Sequence, residues 1–142
     1  TVCSPTGCAP PMKLKLRTFF VEDNATIREN LIGTLEELSR VHAVGFAESE
    51  TMGREWLVDN AAVWDLAIVD LFLRPGSGLG VLQACQSRQP TQKVVVLSNF
   101  ATSDMRQKCL ELGADAVFDK SNEIEALVDF CNDQPLNQSA CS

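Results

Sequence analysis

The sequence predicts an α/β domain in which a five-stranded parallel sheet is covered on both faces by five helices. Three observations lead there. Short β-favouring runs alternate strictly with helical patterns between residues 16 and 132. Two of those runs, "LAIV" at 66–69 and "VVVL" at 94–97, are apolar throughout, as strands buried on both faces should be. The alternation uses up the patterned region, so no stretch remains for a second domain. Repeats of this kind give parallel pairs joined by right-handed crossovers, hence three layers.

Taken in order, the first strand is "LRTFFV", 16–21, rich in aromatic and branched residues. A helix over 25–38 follows Asn24 as its N-cap and gathers Ile27, Leu31, Leu35 and Leu38 on one side. The second strand is "HAVGFA", 42–47, and the helix at 50–59 turns Met52, Trp56 and Leu57 inward. After the third strand at 66–69 comes a helix over 79–87 with Leu79, Leu82 and Cys85. The fourth strand, 94–97, leads to a helix over 102–112 carrying Met105, Cys109 and Leu112, stopped by Gly113 in the C′ position. "DAVF", 115–118, is the last strand, and Ser121 is expected to cap a final helix over 122–132 with Ile124, Leu127, Val128 and Cys131 inward. The patterned domain spans 14–133. Residues 1–13 and 134–142 lack hydrophobic period and are expected to be a flexible leader and tail.

Composition narrows the function classes. The 142 residues are 45 % hydrophobic and 22 % charged, which suits a globular chain with one core. A formal net charge of −7 argues against direct nucleic-acid binding, which depends on clustered Lys and Arg. Lys13, Lys15 and Arg17 alternate with Leu14 and Leu16, as on the solvated face of an entering strand. No apolar run approaches the roughly 20 residues of a membrane span, and no secretory pattern opens the chain; the expectation is a cytoplasmic protein with no membrane partner. Of the cysteines, Cys85, Cys109 and Cys131 fall in helical patterns, while Cys3, Cys8 and Cys141 fall near the ends. There is no C-x-x-C pair, and His42 is the only histidine, so free thiols are expected rather than a zinc site or a disulfide framework.

Open parallel sheets gather functional groups beyond the carboxyl ends of their strands. Those positions carry Glu22 and Asp23 after the first strand, Asp70 at the third, Ser98 at the fourth and Lys120 after the fifth. Three carboxylates that close together could not all stay ionised without a counter-charge. A hard divalent cation such as Mg²⁺, with oxygen ligands, supplies one. Asp70, placed centrally, can attack phosphorus. Lys120 and Ser98 can hold phosphoryl oxygens, and phosphoryl transfer needs mostly such positioning and charge stabilisation.

The motifs "FFVEDN", "LAIVDLFLRPGSGL", "VVVLSN" and "LGADAVFDKS", in this order, resemble the receiver domain of two-component response regulators over about residues 14 to 132. The resemblance implies a flavodoxin-like sheet in the order 2-1-3-4-5. It implies that Asp70 is phosphorylated by a histidine kinase or a histidine phosphotransfer protein. Asp23 and Asp70 would ligate Mg²⁺, with Glu22 acting through water and the main-chain carbonyl of Phe72 completing the protein ligands. Ser98 would supply the switching hydroxyl and Lys120 the phosphoryl-pairing lysine. The chain would be a stand-alone signalling domain with a downstream protein target that the sequence does not name, not a turnover enzyme. A homodimer is left open.

The sequence departs from the family pattern at a few places. Arg74 stands where Pro is usual, with Pro75 one position late. Val117 replaces the customary Tyr or Phe, and Phe118 alternates to the opposite face, which speaks against an aromatic flip as the signal. Phe72 and Phe100 flank the pocket and are expected to exclude water from an acyl phosphate, with Asn99 narrowing access. "PGSGLG", 75–80, lacks the third glycine and the distal acid of a dinucleotide loop, so its glycines are expected to serve turn geometry. Two other readings are a phosphorylation-independent interaction module and the N-terminal receiver fragment of a longer transcription regulator.

Overall fold

The computed structural model of the protein describes residues 15–133 apart from positions 62, 72, 74, 75, 87, 90, 100 and 101. Strands β1 (Leu16–Val21), β2 (Val41–Ala47), β3 (Leu66–Asp70), β4 (Lys93–Ser98) and β5 (Ala116–Asp119) form one parallel sheet in the order β2-β1-β3-β4-β5. Helices α1 (Ala25–Leu38), α2 (Glu50–Asp59), α3 (Gly78–Ala84), α4 (Ser103–Glu111) and α5 (Ile124–Asp133) alternate with the strands. Because β1 lies between β2 and β3, consecutive crossovers run in opposite directions there. A crevice opens above the carboxyl ends of β1 and β3, the topological switch point of the sheet.

The pleat divides the apolar residues between two cores. Phe19, Val69, Val96 and Val117 face one core with Leu57 of α2, Val81 and Leu82 of α3, and Cys109 of α4. Phe20, Ile68 and Leu97 face the other with Leu35 of α1 and Leu127 and Cys131 of α5. Each fully buried side chain of this size is worth roughly 1.5–3 kcal/mol. β1 pairs Thr18 with Ala43 but Phe19 with Gly45, so Val44 is the extra residue of a bulge. Gly45 is required there. Trp56 stacks on Phe19 with ring centroids 3.9 Å apart, and a Cβ on Gly45 would lie 2.7 Å from the indole nitrogen.

Several expectations need correction. β2 starts one residue early, β3, β4 and β5 run one residue longer at the carboxyl end, and β4 and β5 are shifted at the other end too. Polar strand-end residues dilute the apolar signal although the ladder continues through them. α3 stops at Ala84, with Cys85 as its C-cap, and Thr102 is the N-cap of α4 rather than its first residue. Ser121 does not cap α5, which begins only at Ile124. Instead the Asp119 carboxylate closes the preceding turn by accepting from the main-chain N–H groups of Ser121 and Asn122. On α1, Ile27 is 44 % exposed and Leu38 55 %, while Arg28 is buried beside Leu35. Met52 of α2 is likewise exposed. Arg17 is not simply solvated: its guanidinium makes a two-pronged pair with Asp65, at 3.0 Å for each prong. His42 is exposed at the sheet edge, 3.9 Å from Glu36. Asn24 caps α1 as expected, accepting from Ile27 N–H at 2.9 Å, and Gly113 has the left-handed φ of +108°. Cys85, Cys109 and Cys131 are free and buried. The leader, the tail, Lys13, Cys3, Cys8, Cys141, Phe72, Arg74, Pro75 and Phe100 lie outside the described residues.

Candidate functional site

Register alone brings the strand ends level. Val21 lies opposite Val69, so the residues that follow them, Glu22 and Asp70, share one height at the sheet edge. Asp70 lies opposite Leu97, which places Ser98 one step above it, and Ser98 lies opposite Asp119, just before Lys120. The ladder extends past the strands to hold these residues: Glu22 N–H donates to Ala47 O at 3.0 Å, Leu71 N–H to Leu97 O at 2.9 Å, and Lys120 N–H to Ser98 O at 2.9 Å.

The side chains then converge. Glu22 is 3 % exposed, Asp70 6 % and Ser98 0 %. Lys120 Nζ donates to Glu22 Oε1 at 2.5 Å and to Asp70 Oδ2 at 3.1 Å, joining residues far apart in sequence. Glu22 Oε2 accepts from Asn24 N–H at 3.2 Å. Burial pulls the lysine's pKa down, but the hydrogen bond to Glu22 and the charge and hydrogen bond of Asp70 outweigh it, so the ammonium is held above its ordinary value of 10.5. Carboxylate oxygens of Glu22, Asp23 and Asp70 lie within 4.8 Å of one another.

This donor set suits a hard cation. Oxygen ligands on opposite sides of one Mg²⁺ sit about 4.2 Å apart, twice the usual bond length. A gap of at most 4.8 Å between any two of the three acids closes with a small side-chain adjustment. One ammonium against three carboxylates also leaves net negative charge for a cation to offset.

Of the residues named from the sequence, Glu22, Asp23, Asp70 and Lys120 come together, and Ser98 joins them through the backbone. Asn99 is exposed at the same edge. Val117 faces one core while Phe118 faces the other, meeting Phe130 edge-on at 5.9 Å. The glycines after β3 do serve geometry: Gly76 has φ +103°, and a Cβ on Gly78 would lie 2.4 Å from Asp70 O. The same loop is pinned from α2, where Glu50 Oε1 accepts from Ser77 N–H at 2.9 Å. Sequence reading missed Arg28, which reaches back from α1 to the main chain of Glu22 at 2.9 Å. Its only signal was a basic residue among apolar ones on a helix face.

A profile of the response regulator receiver domain family matches residues 18–132. The chain belongs to that family. This receiver domain is 30 % identical over 112 residues to a cyclic di-GMP phosphodiesterase of Thermotoga maritima, covering 79 % of this chain and 29 % of that protein. It is 28 % identical over 108 residues to a protein-glutamate methylesterase/protein-glutamine glutaminase of Leptospira interrogans, covering 74 % and 30 %. It spans less than half the length of each curated relative it matches. In fold it is similar to a LuxR-family two-component response regulator from Aurantimonas sp., with TM-score 0.72, 19 % identity and 81 % of each chain covered. The response regulator domain of Thermotoga maritima CheB gives TM-score 0.68 at 18 % identity, covering 82 % of this chain and 90 % of that one. Among the described residues no helix is long and apolar enough to cross a membrane.

Proposed function

We propose that this receiver domain takes a phosphoryl group onto Asp70 from a histidine kinase or a histidine phosphotransfer protein and signals the change to a protein partner. The observation that carries the reading is the Lys120 ammonium, which touches both Asp70 and Glu22 within one group of carboxylates. An Asp70 Oδ atom attacks phosphorus, the P–O bond forms as the P–N bond of the donor phosphohistidine breaks, and the imidazole leaves with the electron pair. Lys120 then turns from a carboxylate to a phosphoryl oxygen, exchanging one anionic partner for another. Ser98 donates its hydroxyl proton to a second phosphoryl oxygen, and its displacement towards the site is the start of the surface change. Asp23 and Asp70 would hold Mg²⁺ directly, Glu22 through water, with the Phe72 carbonyl as a further ligand; when bound, the ion neutralises charge developing on the transferred group. Phe72 and Phe100 exclude water from the acyl phosphate, Asn99 narrows access for the donor, and with Val117 in the customary aromatic position the Ser98 movement proceeds without an aromatic flip. The domain turns over no separate substrate.

Acetyl phosphate with Mg²⁺ tests this by intact mass. The parent should gain one phosphoryl group and Asp70→Asn none. Equal gain in both, or no gain in the parent, overturns the proposal.

A further inference from the structure

Arg28 is a charged residue 6 % exposed in the first turn of α1, and the phosphoryl chemistry does not use it. A buried arginine needs partners that justify its desolvation. Glu48, at 3.1 Å, is one, but its side chain is 47 % exposed, and a pair open to solvent on one side contributes little. Phe46 offers its ring face 4.1 Å from the guanidinium carbon, and this edge aromatic is itself 49 % exposed. The remaining partner is fully interior: Arg28 Nη1 donates to the main-chain oxygen of Glu22 at 2.9 Å.

That bond has geometric leverage. A carbonyl oxygen and the next residue's N–H lie in one rigid plane, so fixing Glu22 O fixes how the chain enters Asp23. The preceding plane is fixed as well, since Glu22 N–H donates to Ala47 O at 3.0 Å. The Glu22 carboxylate is tied at both oxygens, to Lys120 and to Asn24 N–H. Asp23 alone among the three acids is only half-buried, and the peptide plane that leads into it is the one Arg28 holds.

We infer that Arg28 is a positioning residue for the acidic pair, acting through the Glu22 carbonyl to aim Asp23 for divalent-cation binding. This rests on the proposed function only in taking the three carboxylates as the cation site. Outer partners that orient ligands change metal affinity by about 10–100-fold when removed.

The test is a calorimetric titration of the unphosphorylated protein with MgCl₂, alongside thermal melts without metal. Arg28→Met should weaken Mg²⁺ binding about tenfold. Arg28→Lys, which keeps the charge but loses the planar fork, should fall between it and the parent. A control, Leu35→Val, loosens the same core without touching the acids and should bind Mg²⁺ like the parent. Glu48→Gln, which leaves the Glu22 bond in place, should do so too. If Arg28→Met fails to fold, Arg28→Lys decides. Parent-like affinity in the deciding variant overturns the inference, as does equal weakening in Leu35→Val. Absence of Mg²⁺ binding in the parent would instead count against the cation site itself.

Discussion

At the scale of single residues, burial decides which ionisable groups matter and at what pH. Burial pushes the Cys85 thiol up to about 11 and the Cys131 thiol up to about 12, from an ordinary 9.0, although Arg88 partly offsets the first. Lys120 is raised too, but against the pull of burial, by its bonds to and the charges of Glu22 and Asp70. A group whose folded pKa is raised contributes stability that is complete below its unfolded pKa and is lost as pH climbs towards the folded one. All three shifts therefore point to alkaline loss. Urea unfolding should give constant stability from neutral pH to about pH 9 and a decline above it; stability rising through that range would contradict the assignment. The same burial predicts chemical inertness. With Cys3→Ser, Cys8→Ser and Cys141→Ser in place, the native protein should stay unreacted with a thiol reagent until denaturant is added. Rapid modification of the native form would contradict it. The acids, the serine and the lysine were legible in the sequence because strand ends announce themselves. Arg28 and the Lys120–Glu22 pair were not: a helix side chain that bonds a main-chain oxygen six residues earlier leaves no motif, and Lys120 and Glu22, 98 residues apart, meet only in the packed fold.

At the scale of elements, hydrophobic period located every helix and strand but not every buried face. On α1 a stripe of four aliphatics suggests one inward side, yet the helix is rotated so that Arg28 and Leu35 point in while Ile27 and Leu38 point out. The rotation follows from what the helix meets: the Glu22 carbonyl and Phe46 welcome a cation, and no propensity scale encodes them. The β1–β2 bulge at Val44 was equally hidden, since it depends on fitting Trp56 over Phe19 across Gly45. The start of α3 shows the opposite case, where the sequence spoke clearly. Gly78 N–H donates to Leu71 O at 2.9 Å, and the backbone of Asp70 leaves no space for a Cβ. Gly78→Ala should cost about 1–3 kcal/mol by overpacking and slow phosphoryl acceptance, because relief of the clash moves Asp70. Thermal melts and acetyl phosphate labelling check this together; parent-like behaviour in both would show that the turn yields elsewhere.

At the scale of the whole molecule, the sheet order creates the crevice, and the crevice makes a set of isolated strand ends into one site. The order 2-1-3-4-5 was legible as the consequence of a family resemblance, whereas strict alternation alone required only a parallel sheet. The relatives carry this domain within proteins named for different activities, so the domain is the common unit and the output differs. Beryllofluoride with Mg²⁺, which reproduces the charge and shape of a phosphoryl group, tests the convergence most directly when followed by amide NMR. Shifts are expected for residues around Asp23, Asp70, Ser98 and Lys120 in the parent, and an unchanged spectrum for Asp70→Asn. A parent spectrum that does not move, or the same shifts in Asp70→Asn, would contradict it.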